Sequence, residues 1–103
     1  DLVNDVFEEM RKPATGEAFM AFQRREMLPN GLRTNYLDRL HEIKAATLFI
    51  HGDRDSLVPV AWAREANRRV AGSQLQVMPD CGHWPQRELP GAFHAIITEF
   101  LRD

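Results

Sequence analysis

The sequence predicts an α/β fold built around a pair of parallel strands. Residues 46–50 form a short, unbroken apolar run that Gly52 ends, which is typical of a central strand buried on both faces of a parallel sheet. A helical segment and a second β-rich run, residues 75–78, follow along the chain. Two strands joined through a helix are typical of a parallel pair with a right-handed crossover.

The first 39 residues are predicted to be mainly helical. Residues 1–12 carry apolar side chains at helical spacing, namely Leu2, Val3, Val6, Phe7 and Met10. Pro13 and Gly16 interrupt this pattern, and a second helix is expected from Thr15 to Leu28. Residues 29–31 have the composition of a turn, and a short helix is expected around residues 36–41.

The remaining elements lie after the first strand. Pro59 is expected in the first turn of a helix that runs to Val70, where residues 71–73 end it. Residues 79–82 form a loop after the second strand. A closing amphipathic helix over residues 88–102 should cover one face of the sheet, with apolar side chains at helical spacing: Leu89, Phe93, Ile96, Ile97, Phe100 and Leu101.

Two strands are too few to bury an apolar strand on both faces, because a two-stranded sheet leaves open edges and little surface on either side. We therefore expect another element to complete the sheet. A homo-oligomer formed with a second copy of this chain, or a complementary N-terminal fragment, would supply it.

Composition excludes several classes of function. The 13 Lys and Arg residues nearly balance the 15 Asp and Glu residues, so a nucleic-acid partner is not expected. Apolar runs are too short for a membrane span and no signal segment opens the chain, which predicts a cytoplasmic protein. Cys81 is the one cysteine, so neither an internal disulfide nor a zinc site is expected, and no cofactor is implied.

Candidate acid–base residues lie in the loops after the two strands. Asp55 could accept a hydrogen bond from a ring N–H of His83 and fix its tautomer. Asp53 is the alternative acid. His51, Asp53 and Asp55 alternate and could share one face, but their number and spacing do not match a metal site. The spacing of Cys81 and His83 gives no reason for a thiol nucleophile.

These loops resemble the carboxyl-terminal third of the α/β-hydrolase fold. The resemblance covers about residues 40–101 and rests on the acid loop, Gly52-Asp53-Arg54-Asp55 with Val58-Pro59, and on Gly82-His83 before the closing helix. It implies that Asp55 is the triad acid and His83 the triad base. Residues 81–86, Cys-Gly-His-Trp-Pro-Gln, are similar to the histidine loops of meta-cleavage-product hydrolases, which cleave carbon–carbon bonds, and of epoxide hydrolases. Trp84, beside the base, is then expected to contact substrate.

The family's nucleophile motif, Gly-x-Ser-x-Gly, is absent from the sequence. The resemblance thus implies that residues 1–39 are the end of the lid helices and that residues 40–103 are the C-terminal part of the hydrolase core. It also implies that this chain is inactive on its own. The implied parent enzyme is a serine hydrolase that cleaves an ester or carbon–carbon bond of a small-molecule substrate. An epoxide hydrolase or dehalogenase with an Asp nucleophile, or a non-catalytic associating fragment, are the alternatives.

Overall fold

The computed structural model describes residues 1–102, which form two compact units, residues 1–36 and 37–102. The first unit begins with α1 (Leu2–Met10), whose N-terminus is capped because the N–H of Val3 donates to Asp1 Oδ1 at 2.7 Å. Helix α2 (Pro13–Glu26) follows. It begins two residues before the expected Thr15, because proline is well suited to the first helical position.

A small antiparallel hairpin completes the first unit. Its strands are β1 (Met27–Leu28) and β2 (Gly31–Leu32), so α2 ends at Glu26 and the expected helix to Leu28 is wrong by two residues. Gly31 has φ +135°, a conformation that glycine adopts without steric cost, and this opens β2 after the turn. None of residues 1–36 is buried, and Val3, Met10 and Phe22 are among the exposed apolar side chains.

The second unit contains the predicted parallel strand pair. A 3₁₀-helix over Leu37–Glu42 replaces the helix expected at residues 36–41. Strand β3 (Leu48–Gly52) leads into α3 (Val60–Arg69), which returns the chain to β4 (Gln74–Met78). The strands pair in parallel, and Gly52 at the end of β3 lies opposite Met78 at the end of β4. The acid and histidine loops therefore leave the same edge of the sheet.

The burial expected on both faces of β3 is not found. Residues 48–51 are half-buried, because β3 pairs along one edge within residues 1–102 and a sheet of two strands covers little surface. Among residues 1–102, the buried apolar side chains lie in α3 and at its C-terminus, at the end of β4 and in the histidine loop: Ala63, Val70, Met78, Cys81 and Pro85. Cys81, in the loop that carries His83, is fully buried and belongs to this core.

The expected closing helix is divided in two. A single turn, α4 (Pro85–Glu88), precedes α5 (Pro90–Phe100). Leu89 between them has φ −132° and ψ 60°, since the residue before a proline is pushed out of the helical conformation. The helix therefore starts at Pro90 instead of Glu88. Among residues 1–102, no helix combines the length and apolar composition needed to cross a membrane.

Candidate active site

The structure brings Asp55 and His83 into direct contact. Oδ2 of Asp55 lies 2.8 Å from Nδ1 of His83, although the two residues are 28 positions apart in the chain. An ionised carboxylate has no hydrogen to donate, so the ring nitrogen must be the donor. His83 is thereby held as the Nδ1–H tautomer, and its Nε2 atom is left to exchange a proton with a reacting group.

Asp55 is held in place by the loop that follows it. Its Oδ1 atom accepts the N–H groups of Leu57 and Val58 at 2.9 and 2.8 Å, which leaves Oδ2 for His83. Burial of the carboxylate raises the pKa of Asp55, but the hydrogen bonds from Val58, His83 and Leu57 outweigh burial and lower that pKa to about 2. Asp55 is therefore ionised at neutral pH, as an acceptor for His83 must be.

A second histidine approaches the same carboxylate. Nε2 of His51 lies 2.8 Å from the carbonyl oxygen of Val58 and 3.4 Å from Oδ2 of Asp55. The carbonyl can only accept, so His51 Nε2 carries a proton. His51 thus binds the backbone of the acid loop at Val58, and its ring lies close to the Asp55 carboxylate. The pattern of alternating residues 51, 53 and 55 identified these side chains but predicted no such contact.

Asp53 has a different partner from Asp55. Its Oδ1 atom accepts the backbone N–H of Cys81 at 3.2 Å, so it contacts the backbone of the histidine loop. The geometry therefore favours Asp55 over the alternative acid Asp53. Among the described residues, no group of three or more His, Cys, Asp or Glu side chains is placed to hold a metal ion.

Close backbone contact joins the acid strand to the histidine loop. The N–H of Arg54 donates to the carbonyl oxygen of Cys81 at 2.9 Å. A Cβ atom on Gly52 would lie 2.1 Å from the Gly82 oxygen and 2.3 Å from the Cys81 oxygen, far inside van der Waals contact. Glycine is required at this position because the histidine loop passes directly over it.

Two cavities adjoin the sheet. One of about 250 Å³ is lined by Asp55 and His83 together with apolar side chains, among them Ile50, Val58 and Phe93. Trp84 is not part of that lining; its ring meets the His83 ring edge-on, with centroids 5.5 Å apart, and is half exposed. A larger cavity of about 520 Å³ lies between the sheet and α5 but contains neither candidate catalytic residue.

Comparison with known proteins identifies the family of the chain. The model of the alpha/beta hydrolase family matches residues 2–96. The chain belongs to the alpha/beta hydrolase family. Its fold class, α/β with a parallel strand pair, is confirmed, and so is its resemblance to meta-cleavage-product hydrolases.

Several individual hydrolases are similar to this chain, each over a different share of its length. A 2-hydroxy-6-oxononadienedioate/2-hydroxy-6-oxononatrienedioate hydrolase of Escherichia coli is 43% identical over 63 residues, which are 61% of this chain and 22% of the relative. A meta-cleavage product hydrolase of Pseudomonas fluorescens has a TM-score of 0.78 at 25% identity over 96% of this chain and 37% of its own. A serine hydrolase involved in carbazole degradation has a TM-score of 0.77 at 27% identity, covering 88% of this chain and 35% of its own. The chain spans about a fifth of the length of the curated relatives it matches.

The contacts of Glu88 were not predicted from the sequence. The carboxylate of Glu88 accepts the N–H groups of Gly82 and Trp84, the two neighbours of His83. In the sequence, Glu88 read only as the start of the closing helix. A carboxylate five residues after a loop histidine is the signal that could have drawn attention to it.

Proposed function

We propose that this chain supplies the acid–base pair of a hydrolase that cleaves an ester or carbon–carbon bond in a small organic substrate. The observation that carries the proposal is the 2.8 Å contact between Asp55 Oδ2 and His83 Nδ1. The Asp55 side chain is 4% exposed and the His83 side chain 38% exposed, so the acid is enclosed while the base can be reached. The likeness to meta-cleavage product hydrolases supports the choice of bond.

In the proposed reaction, His83 Nε2 takes the hydroxyl proton of a serine as its oxygen attacks the carbonyl carbon of the substrate. Nε2 then returns that proton to the leaving carbon or oxygen, and an acyl-serine remains. Water attacks the acyl group, gives a proton to Nε2, and releases the carboxylic acid as the serine recovers its hydrogen. Asp55 stays ionised throughout and stabilises the imidazolium each time it forms.

The serine of this reaction is proposed to come from outside the 103 residues. Ser73 Oγ hydrogen-bonds to the end of α3, with 2.8 Å to the carbonyl oxygen of Val70. Ser56 lies in the acid loop without flanking glycines. The chain alone is therefore expected to be inactive. With an aspartate nucleophile instead, as in epoxide hydrolases and dehalogenases, His83 would activate water against an ester intermediate; likeness to a serine hydrolase favours serine.

The apolar part of the 250 Å³ cavity suits a small, mostly apolar substrate beside the acid–base pair. Trp84 is proposed to contact that substrate beside His83, because the residue is half exposed and its ring contacts the His83 ring. Acid–base and acyl-transfer chemistry of this kind requires no metal and no cofactor.

The second part of the proposal is that this chain associates with another polypeptide segment. Within residues 1–102, one edge of β3 has no strand partner, and its backbone hydrogen-bonding groups are offered to another strand. In residues 1–39, proposed as the end of a lid, large apolar side chains are strongly exposed, among them Val3 at 74% and Met10 at 71%. A complementary N-terminal segment would cover such surfaces and also supply the nucleophile. A second copy of the chain is the alternative partner.

A chimera tests this function. The carboxyl-terminal segment of the Escherichia coli relative is replaced by the segment of this chain that matches it. Hydrolysis of the relative's own substrate by the chimera is then measured. Turnover is expected in the chimera but not with the 103-residue chain alone. The His83→Ala chimera should lose at least about 10³-fold in kcat. The matched control, exposed His94→Ala on α5, should stay near the parent chimera. Retention of kcat by His83→Ala, or turnover by the chain alone, would contradict the proposal.

A further inference from the structure

The backbone on both sides of His83 is bound by one carboxylate. Glu88 Oε2 accepts the N–H of Gly82 at 2.8 Å, and Oε1 accepts the N–H of Trp84 at 3.1 Å. Hydrogen bonds to an ionised carboxylate are stronger than those between neutral groups. Because each oxygen binds a different neighbour of His83, the pair of bonds limits how that residue can turn.

A second carboxylate binds the backbone of the same loop. Asp53 Oδ1 accepts the N–H of Cys81 at 3.2 Å, and Asp53 belongs to the acid loop. The amide groups of residues 81, 82 and 84 therefore all donate to carboxylates. Asp53 ties the histidine loop to the acid loop, whereas Glu88 ties it to α4.

His83 needs such support because its side chain is poorly enclosed. It is 38% exposed, whereas the Asp55 side chain that it must meet is 4% exposed. Packing therefore constrains the acid far more than the base. The direction of His83 depends on the backbone from Gly82 to Trp84, which is the stretch that Glu88 binds.

We propose that Glu88 is a positioning residue that holds His83 against Asp55 through the amides of Gly82 and Trp84. The inference rests on the proposed function, in which His83 is the base. Glu88 acts through the backbone. Its loss should therefore weaken the contact between His83 and Asp55 even though both side chains are unchanged.

Nuclear magnetic resonance on the full 103-residue chain tests the inference. The variants are Glu88→Ala, Glu88→Gln and the control Glu99→Ala, whose carboxylate pairs with Arg102 on the surface. Two quantities are measured: amide hydrogen exchange at residues 82 and 84, and the downfield Nδ1–H proton signal of His83. In Glu88→Ala, exchange should be at least about tenfold faster and the signal should weaken or vanish. Glu88→Gln keeps one acceptor oxygen, so its exchange rates and His83 signal should lie between those of the parent and of Glu88→Ala. In Glu99→Ala both quantities should match the parent.

Unchanged exchange at residues 82 and 84 together with an unchanged His83 signal in Glu88→Ala would overturn the inference. If that variant does not fold, Glu88→Gln decides by the same two measurements. Asp55→Asn, measured in parallel, separates the two proposals. Loss of the His83 signal in Asp55→Asn but not in the Glu88 variants overturns the role of Glu88 alone. A parent chain without this signal counts against the proposed function, and exchange at residues 82 and 84 then still tests the contacts of Glu88.

Discussion

Replacing Gly52 by alanine is a direct test of how closely the acid strand and the histidine loop pack. The new Cβ atom would lie 2.1 Å from the Gly82 oxygen and 2.3 Å from the Cys81 oxygen. Both contacts are to backbone, which cannot rotate away as the end of a flexible side chain can. A real Cβ atom essentially never comes within 3.0 Å of a heavy atom outside its own residue and chain neighbours, so the loop must move by roughly 1 Å.

A displacement of that size acts on the proposed acid–base pair. The Asp55–His83 contact is 2.8 Å, and a further ~1 Å takes it beyond hydrogen-bonding distance. Overpacking costs typically about 1–3 kcal/mol of unfolding free energy. A misplacement of about 1 Å can also cost about 10²-fold in rate. Gly52→Ala should therefore be less stable, and in the chimera it should lose most of its kcat.

The assay compares urea unfolding of Gly52→Ala with that of a matched glycine variant, Gly91→Ala. A Cβ atom on Gly91, in α5, meets nothing within 4 Å, so this variant should be as stable as the parent or more stable by up to about 1 kcal/mol. Equal unfolding free energies for Gly52→Ala and the parent, with the His83 Nδ1–H signal intact, would refute the packing argument.

Three further predictions concern ionisable groups. Asp55 has a pKa of about 2 in the folded chain against an ordinary 3.8, so its contribution to stability is present above pH ~4 and is lost as the pH falls towards 2. Urea midpoints between pH 6 and pH 2 should therefore fall less in Asp55→Asn than in the parent; equal falls would contradict this. In the chimera, Asp55→Asn should lower kcat by about 10⁴-fold, because an amide no longer selects the His83 tautomer, and near-normal kcat would exclude Asp55 as the acid. Burial, reinforced by the charges of Glu88 and Asp53, raises the pKa of the Cys81 thiol, so alkylation by iodoacetamide, followed by mass spectrometry, should be slow in the native chain and fast in denaturant. Rapid native alkylation would show that the loop opens readily.

The parallel strand pair could be predicted because its signal is local. An unbroken apolar run that ends at Gly52, followed by a helix and a second run, has few other structural solutions. The pairing of Asp55 with His83 followed from this topology, since both loops leave the same edge of the sheet. The division of the closing helix at Leu89 was missed, although Pro90 gives a local signal for it, because Leu89 fits the apolar spacing of the helical residues that follow it.

The contacts of Glu88 and Asp53 with the histidine loop could not be predicted in the same way. Asp53 accepts a backbone N–H group of another loop, and no spacing rule connects two such groups. Glu88 is close in sequence to the amides that it binds, but its position alone does not show that its side chain turns back to them. The need for glycine at position 52 likewise depends on where the Cys81–Gly82 backbone passes in space. Burial of β3 on both faces was expected from its composition, but burial depends on neighbouring elements as much as on the strand itself.

The central claim is that Asp55 holds His83 as the Nδ1–H tautomer so that Nε2 is left to move a proton. Nitrogen-15 chemical shifts of the His83 ring in the 103-residue chain at neutral pH measure this directly. We expect the pattern of a protonated Nδ1 and an unprotonated Nε2 in the parent and in the control Asp38→Asn, whose side chain is 98% exposed. Asp55→Asn should lose that preference. A His83 ring in the Nε2–H form in the parent, or shifts that do not respond to Asp55→Asn, would contradict the account.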